Sequence, residues 1–279
     1  MNKQMILDGF TNLVGTGTAI NDLAKFNGSV IEKLTLVLGG TFTKSMITLI
    51  QLKANGKVIF ETSGARLDAS NLYNGGAVDA TVLKIDFMDR KAVTVNARQA
   101  GAIDFSAGSG ITQLRLEITI AGATAPTLVG FADLSPPTND PAEAGIRGLI
   151  LRRHQGTITV GGAGTFALPI PHLEPSGGGS VYRRILFYSA QMNAFRTQRE
   201  GVTEHELTKL QNEAAQKDNF KVPQANLIVF DPVQDGQMSG RLWDTRPAVG
   251  VRSAQFYGTF AAAETFVVET EELLRLGAY

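Results

Sequence analysis

Apolar and polar residues alternate with a period of two over much of this chain, a pattern typical of β-strands that bury one face. In the first half, this alternation or a short apolar run predicts strands at residues 34–38, 47–53, 57–61, 82–87 and 114–120. In the second half, it predicts strands at residues 149–153, 156–160, 165–168, 182–188, 192–197, 226–230, 240–243 and 264–269. The pattern therefore predicts an all-β protein.

A tight hairpin is predicted between the strands at residues 47–53 and 57–61. Asn55 and Gly56 stand between them, and both residue types tolerate the positive φ angles that a two-residue hairpin turn requires. After this hairpin, residues 63–72 form a candidate for a short helix.

A second helix is predicted in the second half by a capping signal. Thr203 and Glu206 have the spacing of a capping box, in which both side chains satisfy free amides of the first helical turn. Leu207, Leu210 and Ala214 then fall on one helical face. We therefore expect a helix over residues 203–217.

The two halves are separated by a proline-rich segment near the middle of the chain. Residues 132–141 contain three prolines within six positions and few residues that could pack. Such a segment favours a stiff, solvated connector. We expect a first domain at residues 1–134, a linker at residues 135–145 and a second domain at residues 146–279.

The halves share one plan of strands around an inserted helix. Aligning Phe60 with Phe195 gives an offset of 135 residues, and aligning Phe87 with Phe230 gives 143. The last strands lie about 150 residues apart. An offset that grows along the chain is expected of a duplicated unit with longer loops in its second copy.

Seven or eight strands and one helix in each half fit an eight-stranded jelly roll, in which two antiparallel sheets pack face to face. The sequence thus predicts two tandem jelly-roll β-sandwiches, a double jelly roll, each with a short inserted helix. A pair of immunoglobulin-like sandwiches is the alternative. Its units of about 100 residues are shorter, and it does not account for a helix at the same place in both halves.

Composition narrows the function classes. Hydrophobic residues make up 43% and charged residues 19% of the chain, which suits a packed core. Basic and acidic residues number 26 each, and this balance argues against a protein whose main task is nucleic-acid binding. Absence of cysteine excludes disulfides and thiol chemistry. With neither a signal sequence nor 18 consecutive apolar residues, we expect a soluble protein made in a cytoplasm.

Candidate catalytic and metal-binding residues are sparse. His154, His172 and His205 are far apart in sequence, and none has the second nearby His that a cupin-like metal site would need. Glu204-His205-Glu206 resembles part of a zinc-protease helix, but Lys209 stands where the second His should be. An exposed first helical turn is the simpler interpretation.

Glycine clusters and aspartate pairs have similarly simple explanations. The clusters at residues 15–17, 161–164 and 177–179 lack the following Lys-Ser/Thr or helix of a phosphate loop, so we expect hairpin tips and a flexible loop. Asp86 with Asp89, or Asp231 with Asp235, could serve as glycosidase acids or hold calcium. Turns are the favoured interpretation.

Two arginine doublets and the single tryptophan complete the candidates. We expect Arg152-Arg153 and Arg183-Arg184 to be solvated strand ends or to form salt bridges between subunits, rather than to contact phosphate or lipid headgroups. Trp243 is expected in the core or in a subunit contact rather than as a platform for a sugar. No catalytic constellation emerges, which points to a structural protein.

In the order of its parts, the chain resembles the double jelly-roll major capsid proteins of tailless icosahedral viruses, and most closely the small members in membrane-containing bacteriophages of the corticovirus (PM2) type. The resemblance covers residues 31–274. It rests on the hairpin and helix of residues 47–72, the linker at Pro136, the capped helix at residues 203–217 and the final strand at residues 266–269. Residues 161–179 are looser than the family pattern and are not matched strand by strand.

This resemblance implies a structural major capsid protein rather than an enzyme, with no catalytic, cofactor-binding or metal-binding residues. Its partners would be two further copies in a homotrimer that forms a pseudo-hexagonal capsomer, neighbouring capsomers, minor capsid and vertex proteins, and the lipid of an internal membrane. Specific nucleic-acid recognition is not implied. The protein would be made and assembled in the host cytoplasm and would reside in the virion capsid.

The chain termini are candidate contact regions. Residues 1–25 carry apolar side chains such as Met5, Ile6, Leu7 and Phe10 outside any predicted strand, and residues 275–279 follow the last one. Ordered arms between neighbouring subunits and disordered tails are both open at this point.

Two alternatives come from other function classes. A receptor- or carbohydrate-binding protein, such as a spike or adhesin, would expose aromatic side chains, but the chain has one Trp and five Tyr. A hydrolase or isomerase on a jelly-roll scaffold would have to assemble a His–carboxylate cluster from distant residues, for instance His154 and His172.

Overall fold

A computed structural model of the chain describes residues 3–77, 79–137, 148–238 and 240–275. Residues 138–145 of the predicted linker and residues 276–279 of the predicted C-terminal arm lie outside the described residues. None of the helices in the described ranges is long and apolar enough to cross a membrane.

Strands dominate the element order. Up to residue 135 the elements are β1 (Lys3–Ile6), β2 (Gly17–Asp22), β3 (Ser29–Gly39), β4 (Ile47–Ala54), β5 (Lys57–Thr62), α1 (Gly64–Tyr73), β6 (Val82–Asp86), α2 (Val95–Gln99), β7 (Ile103–Phe105), β8 (Leu114–Ile120) and β9 (Thr127–Ser135). From residue 149 they are β10 (Leu149–Val160), β11 (Gly164–Ala167), β12 (Val181–Tyr188), β13 (Met192–Arg199), β14 (Val202–Thr208), α3 (Lys209–Asp218), β15 (Ile228–Phe230), β16 (Trp243–Asp244), β17 (Ala254–Phe260) and β18 (Glu264–Arg275).

The chain divides into two compact units. The first comprises Met1–Leu72, Gly76–Arg153 and Leu274–Tyr279, and the second comprises Tyr73–Gly75 and His154–Leu273. Strand β10 therefore begins in the first unit and continues in the second.

Two antiparallel sheets form the first unit. One has the strand order β1-β9-β3-β6, with β7 also paired to β3, and the other has the order β2-β8-β4-β5. At the β5 edge, Arg153 of β10 pairs in parallel with Phe60. Alternate side chains of β8 are buried, as the period-two pattern predicts, and join an aliphatic core with those of β3 and β4.

The second unit repeats this arrangement. One sheet has the order β10-β18-β12-β15, with β16 also paired to β12, and the other has the order β11-β17-β13-β14. Each strand thus has its counterpart nine strands later in the chain. Both units have the strand order of a jelly roll, and the predicted all-β double jelly roll is confirmed.

The positions of helix α1 and of the hairpin before it show that the repeat offset is constant in this region, whereas the sequence predicted offsets that grow along the chain. Strands β4 and β5 and helix α1 each begin 145 residues before β13, β14 and α3 (47 to 192, 57 to 202, 64 to 209). Phe60 in β5 therefore corresponds to His205 in β14, and its alignment with Phe195, one strand earlier, is wrong. The ring contacts agree, because Phe60 meets Phe87 edge to face at 6.0 Å and His205 meets Phe230 edge to face at 5.2 Å.

The alignment of the last strands is also wrong. Leu116 lies in β8, whose counterpart is β17, whereas Val267 lies in β18. Every strand of a β-sandwich has a similar alternation of apolar and polar residues, so this alternation alone does not distinguish one strand from the next.

The β4–β5 hairpin and its counterpart, the β13–β14 hairpin, have the same turn conformation. Asn55 and Gly56 have φ of 51° and 80°, and Glu200 and Gly201 have φ of 51° and 74°. The predicted first hairpin is confirmed. The second was not predicted, because Glu is a poor indicator of a left-handed turn position.

The capped helix predicted at residues 203–217 begins too early. Val202–Thr208 is strand β14, paired antiparallel with β13, and α3 starts at Lys209. The capping box is formed five residues later, where the Thr208 hydroxyl accepts from the Gln211 amide and Gln211 Oε1 accepts from the Thr208 amide. The hairpin turn before Val202 leads into pairing with β13, which satisfies the backbone groups that the predicted first turn would have used.

The helix predicted at residues 63–72 is confirmed as α1. The number of strands differs from the prediction. Residues 149–160 form one strand instead of two. The sequence pattern missed β1, β2, β7, β9, α2, β14 and β17. The described part of the predicted N-terminal arm is not an arm, because β1 pairs with β9, β2 pairs with β8 and Leu7 is buried.

Candidate functional site

A cluster of ionised side chains lies inside the second unit. Arg184 donates from Nε to Asp231 Oδ2 at 3.1 Å and from Nη1 to Glu271 Oε2 at 3.0 Å. Tyr73, which belongs to this unit, donates its hydroxyl to the same Asp231 oxygen at 3.1 Å, and Lys221 Nζ lies 3.9 Å from it. All five side chains are buried.

Two cations and two carboxylates balance the charge of this cluster. The Arg184 guanidinium and the Lys221 ammonium also lie 5.5 Å and 5.7 Å from the centre of the Tyr73 ring. Burial, together with the Asp231 carboxylate, raises the pKa of Tyr73 well above 10, so its hydroxyl remains a hydrogen-bond donor. Removing one charged member would leave a buried charge uncompensated, which costs about 3–5 kcal/mol. The cluster therefore holds β12, β18 and the end of β15 in one arrangement.

The arginine doublets are placed differently from the sequence interpretation. Arg153, Arg183 and Arg184 are 2%, 4% and 1% exposed, so they are not solvated strand ends. Arg184 in β12 lies directly opposite Glu271 in β18. A basic doublet on one strand and the acidic doublet Glu271-Glu272 on another were the available sequence signal for this cluster, and it was missed.

His154 and His172 meet in the second unit, although 18 residues separate them in sequence. Their rings lie 5.1 Å apart, edge to face. His172 Nδ1 is 3.2 Å from Glu272 Oε1, and Glu272 also accepts from the hydroxyls of Ser180 at 2.7 Å and Thr270 at 2.8 Å. The His–carboxylate contact that the sequence could not exclude is therefore present.

Glu272 is the ionised centre of this group. Burial raises its pKa, but the hydrogen bonds from His172, Ser180 and Thr270 outweigh burial and hold the pKa below its ordinary 4.5. Glu272 is therefore an anion at neutral pH. In the described ranges, no group of three or more His, Asp or Glu side chains is arranged to hold a metal ion.

A cleft of about 280 Å³ in the second unit lies beside the third histidine. His205 of β14, Asn212 of α3, Phe230 of β15, and the ion pair of Asp235 with Arg241 (3.3 Å) line it. Burial lowers the pKa of His205, so its ring is neutral at pH 7.

Glu204-His205-Glu206 lies on a strand rather than on a helix, so neither the zinc-protease fragment nor the exposed first helical turn describes it. Glu204 accepts from Trp243 Nε1 at 2.8 Å and pairs with Arg199. Trp243 itself is 2% exposed and packs on Tyr182 and Phe230. It is a core residue, as one of its two expected roles proposed, and is not a platform for a sugar.

The glycine clusters and aspartate pairs lie in loops or at the ends of strands. Residues 161–163 connect β10 to β11, which begins at Gly164, and residues 15–16 precede β2, which begins at Gly17. Gly178 and Gly179 have positive φ after a short 3-10 helix at Pro175–Gly177. Asp89 accepts from the Lys91 amide at 3.0 Å in a turn. Asp231 and Asp235 are not a catalytic pair, because the first lies in the ionic cluster and the second pairs with Arg241.

Comparison with known families matches both units. The model of the viral coat protein P2 N-terminal domain matches residues 4–135, and that of the viral coat protein P2 C-terminal domain matches residues 150–276. No curated protein sequence matches the chain.

Solved structures share the fold. The major capsid protein P2 from bacteriophage PM2 has a TM-score of 0.81 at 16% identity, with 100% of both chains covered. The STIV MCP has a TM-score of 0.68 at 13% identity, covering 99% of this chain and 97% of its own. A chain of Sulfolobus Turreted Icosahedral Virus has a TM-score of 0.69 at 11% identity, covering 99% and 91%.

These matches confirm the resemblance drawn from the order of elements. Together the two family models span nearly all of both jelly rolls, and the family is structural rather than enzymatic. The chain belongs to the viral coat protein P2 family and is a capsid component of a virion.

Proposed function

We propose that this coat protein is the major capsid subunit of a tailless icosahedral bacteriophage with an internal membrane. Three copies form a homotrimer, each homotrimer is a pseudo-hexagonal capsomer of six jelly rolls, and the capsomers tile the shell. The protein carries no catalytic, cofactor-binding or metal-binding residues in this role.

The observation that supports this proposal is the repeat of one strand order in both units of a single chain. Three such chains supply six units of the same fold, which is the number that a six-sided building block needs. Closed symmetric assembly also covers sheet edges that would otherwise promote uncontrolled association.

Partners and location follow from the same proposal. The chain is made and assembled in the host cytoplasm, contacts minor capsid and vertex proteins, and faces the lipid of the internal membrane. Its zero formal net charge favours contacts with protein and lipid over specific recognition of nucleic acid.

The domain division belongs to this proposal as well. The jelly rolls comprise residues 1–134 and 146–279, and residues 135–145 connect them. The two family matches, at residues 4–135 and 150–276, leave residues 136–149 between them, and this interval supports a connector that overlaps residues 135–145.

Light scattering of the purified protein at neutral pH, over a range of concentration, tests the oligomer. We expect a species of three times 29.8 kDa, about 89 kDa, that persists on dilution. Negative-stain electron microscopy of that species should show a six-sided outline. A monomer at every concentration would contradict the proposal.

A further inference from the structure

Strands β1 and β14 are two of the strands whose outer edge stays open in the described part of the chain. Strand β1 ends the sheet β1-β9-β3-β6, and strand β14 ends the sheet β11-β17-β13-β14, with no further strand paired beyond either in the described ranges. An open edge presents unpaired backbone groups that another strand can join.

The counterparts of these two strands pair with each other. The counterpart of β14 is β5, and the counterpart of β1 is β10. Arg153 of β10 pairs in parallel with Phe60 of β5. The repeat within one chain thus shows which kind of strand covers this kind of edge.

The Arg153 side chain packs against both β5 and α1 at the β5 edge. Arg153 is 2% exposed, lies 5.6 Å from the centre of the Phe60 ring and donates to Ser70 of α1 at 3.4 Å. It therefore fills the space between the edge strand and the inserted helix of the first unit.

In the second unit the corresponding space is a cleft. His205, the counterpart of Phe60, lines it together with Asn212 of α3 and Phe230. Because the His205 ring is neutral, it accepts a neighbouring cation without charge repulsion.

Strand β1 carries a suitable cation. Lys3 begins β1 and is exposed, and Glu206, next to His205 on β14, is also exposed. Neither side chain has an ion-pair partner in the described ranges. The β1 and β14 edges therefore carry opposite charges.

We propose that strand β1 of a second copy of this chain joins the β14 edge in parallel, with Lys3 at the His205 cleft and close to Glu206. This inference rests on the proposed homotrimer and names the edges that build it. Because the two edges differ, the contact is head to tail, and each copy uses both edges when a ring closes.

A charge exchange tests the contact. Lys3→Glu and Glu206→Lys should each raise the concentration at which the trimer dissociates by about tenfold or more, since like charges then face each other. The double variant should recover most of this loss. Lys57→Glu, at the tip of the first hairpin, is the matched control and should leave dissociation unchanged.

Cross-linking provides an independent measurement. The chain has no cysteine, so a Lys3→Cys/Glu206→Cys variant has only the two introduced thiols. A bismaleimide spacer of about 10 Å tolerates a register shift of two residues, since a strand rises about 3.3 Å per residue. We expect denaturing gels to show covalent dimers and trimers, and a Lys57→Cys/Glu206→Cys control to stay monomeric.

The outcomes separate this inference from the proposed function. A trimer in light scattering that neither cross-links at these positions nor responds to the charge exchange would overturn the inference and leave the homotrimer intact. Equal cross-linking in the control pair would also overturn it. A monomer in light scattering would overturn both.

Discussion

At the residue scale, two buried carboxylates show how hydrogen bonds change the pKa of a side chain. Glu272 and Asp133 both have a pKa below the ordinary value. In each case burial raises the pKa, and hydrogen bonds outweigh it, from His172 and two hydroxyls for Glu272 and from Lys33, Gln4 and Arg90 for Asp133. Both groups are therefore more acidic in the folded than in the unfolded chain, which links stability to pH.

The sign of this linkage gives a prediction for Glu272. A depressed folded pKa stabilises the protein above the unfolded value of about 4.5, and this contribution is lost as the pH falls through the folded pKa. Glu272→Gln should therefore lower the stability at pH 7 and flatten the decline in stability between about pH 5 and pH 3. Urea unfolding midpoints across this range measure both effects.

Exposed Glu174→Gln is the control and should retain the wild-type decline. A residual slope in Glu272→Gln is expected, because Asp133 still titrates. If Glu272→Gln and the wild type decline in parallel, the hydrogen bonds to Glu272 do not stabilise its ionised form.

At the element scale, the boundary between β14 and α3 is the place where local signals compete. Two Thr residues have a glutamate or glutamine three positions later, Thr203 with Glu206 and Thr208 with Gln211. Only the second pair forms the reciprocal bonds of a capping box. Pairing of β14 with β13 decides between them, because the strand uses the backbone groups of residues 202–208.

Two matched substitutions test this boundary. Thr208→Ala removes the hydroxyl that caps the first turn of α3 and should lower the free energy of unfolding by about 1 kcal/mol. Thr203→Ala, on the exposed strand, should change it far less. Chemical denaturation followed by circular dichroism measures both, and a larger effect at Thr203 would place the helix start where the sequence pattern first indicated it.

At the scale of the whole molecule, each unit has a core of its own. The first core is mainly aliphatic, whereas the second contains a group of rings around Phe256. Phe187, Phe195, Phe230 and Trp243 lie 4.8–6.3 Å from Phe256 between ring centroids. Since Trp243 is the single tryptophan, its fluorescence reports on the second core alone.

A substitution at the centre of this core should be visible to that probe. Phe256→Ala removes a fully buried ring and should lower the free energy of unfolding by about 3–5 kcal/mol, read from Trp243 fluorescence in denaturant. Phe220→Ala is the control, because Phe220 is 84% exposed. Similar midpoints for both variants would show that the aromatic core does not stabilise the second unit.

Sequence by itself determined the features that depend on neighbours along the chain. Period-two alternation located most strands, Asn55-Gly56 located a hairpin because both residues tolerate positive φ, and the order of elements led to the double jelly roll. It also gave the core as one of two expected locations of Trp243, and it predicted α1.

Tertiary structure alone decided the features that depend on distant partners. Pairing with β13 made residues 202–208 a strand, although their local pattern favours a helix start. Arg184 meets Asp231 and Glu271 across 47 and 87 residues, and His172 meets Glu272 across 100. The local sequence pattern holds no information on such contacts. A charged side chain can be buried only where folding brings a compensating partner to it, and that partner lies far away in the sequence.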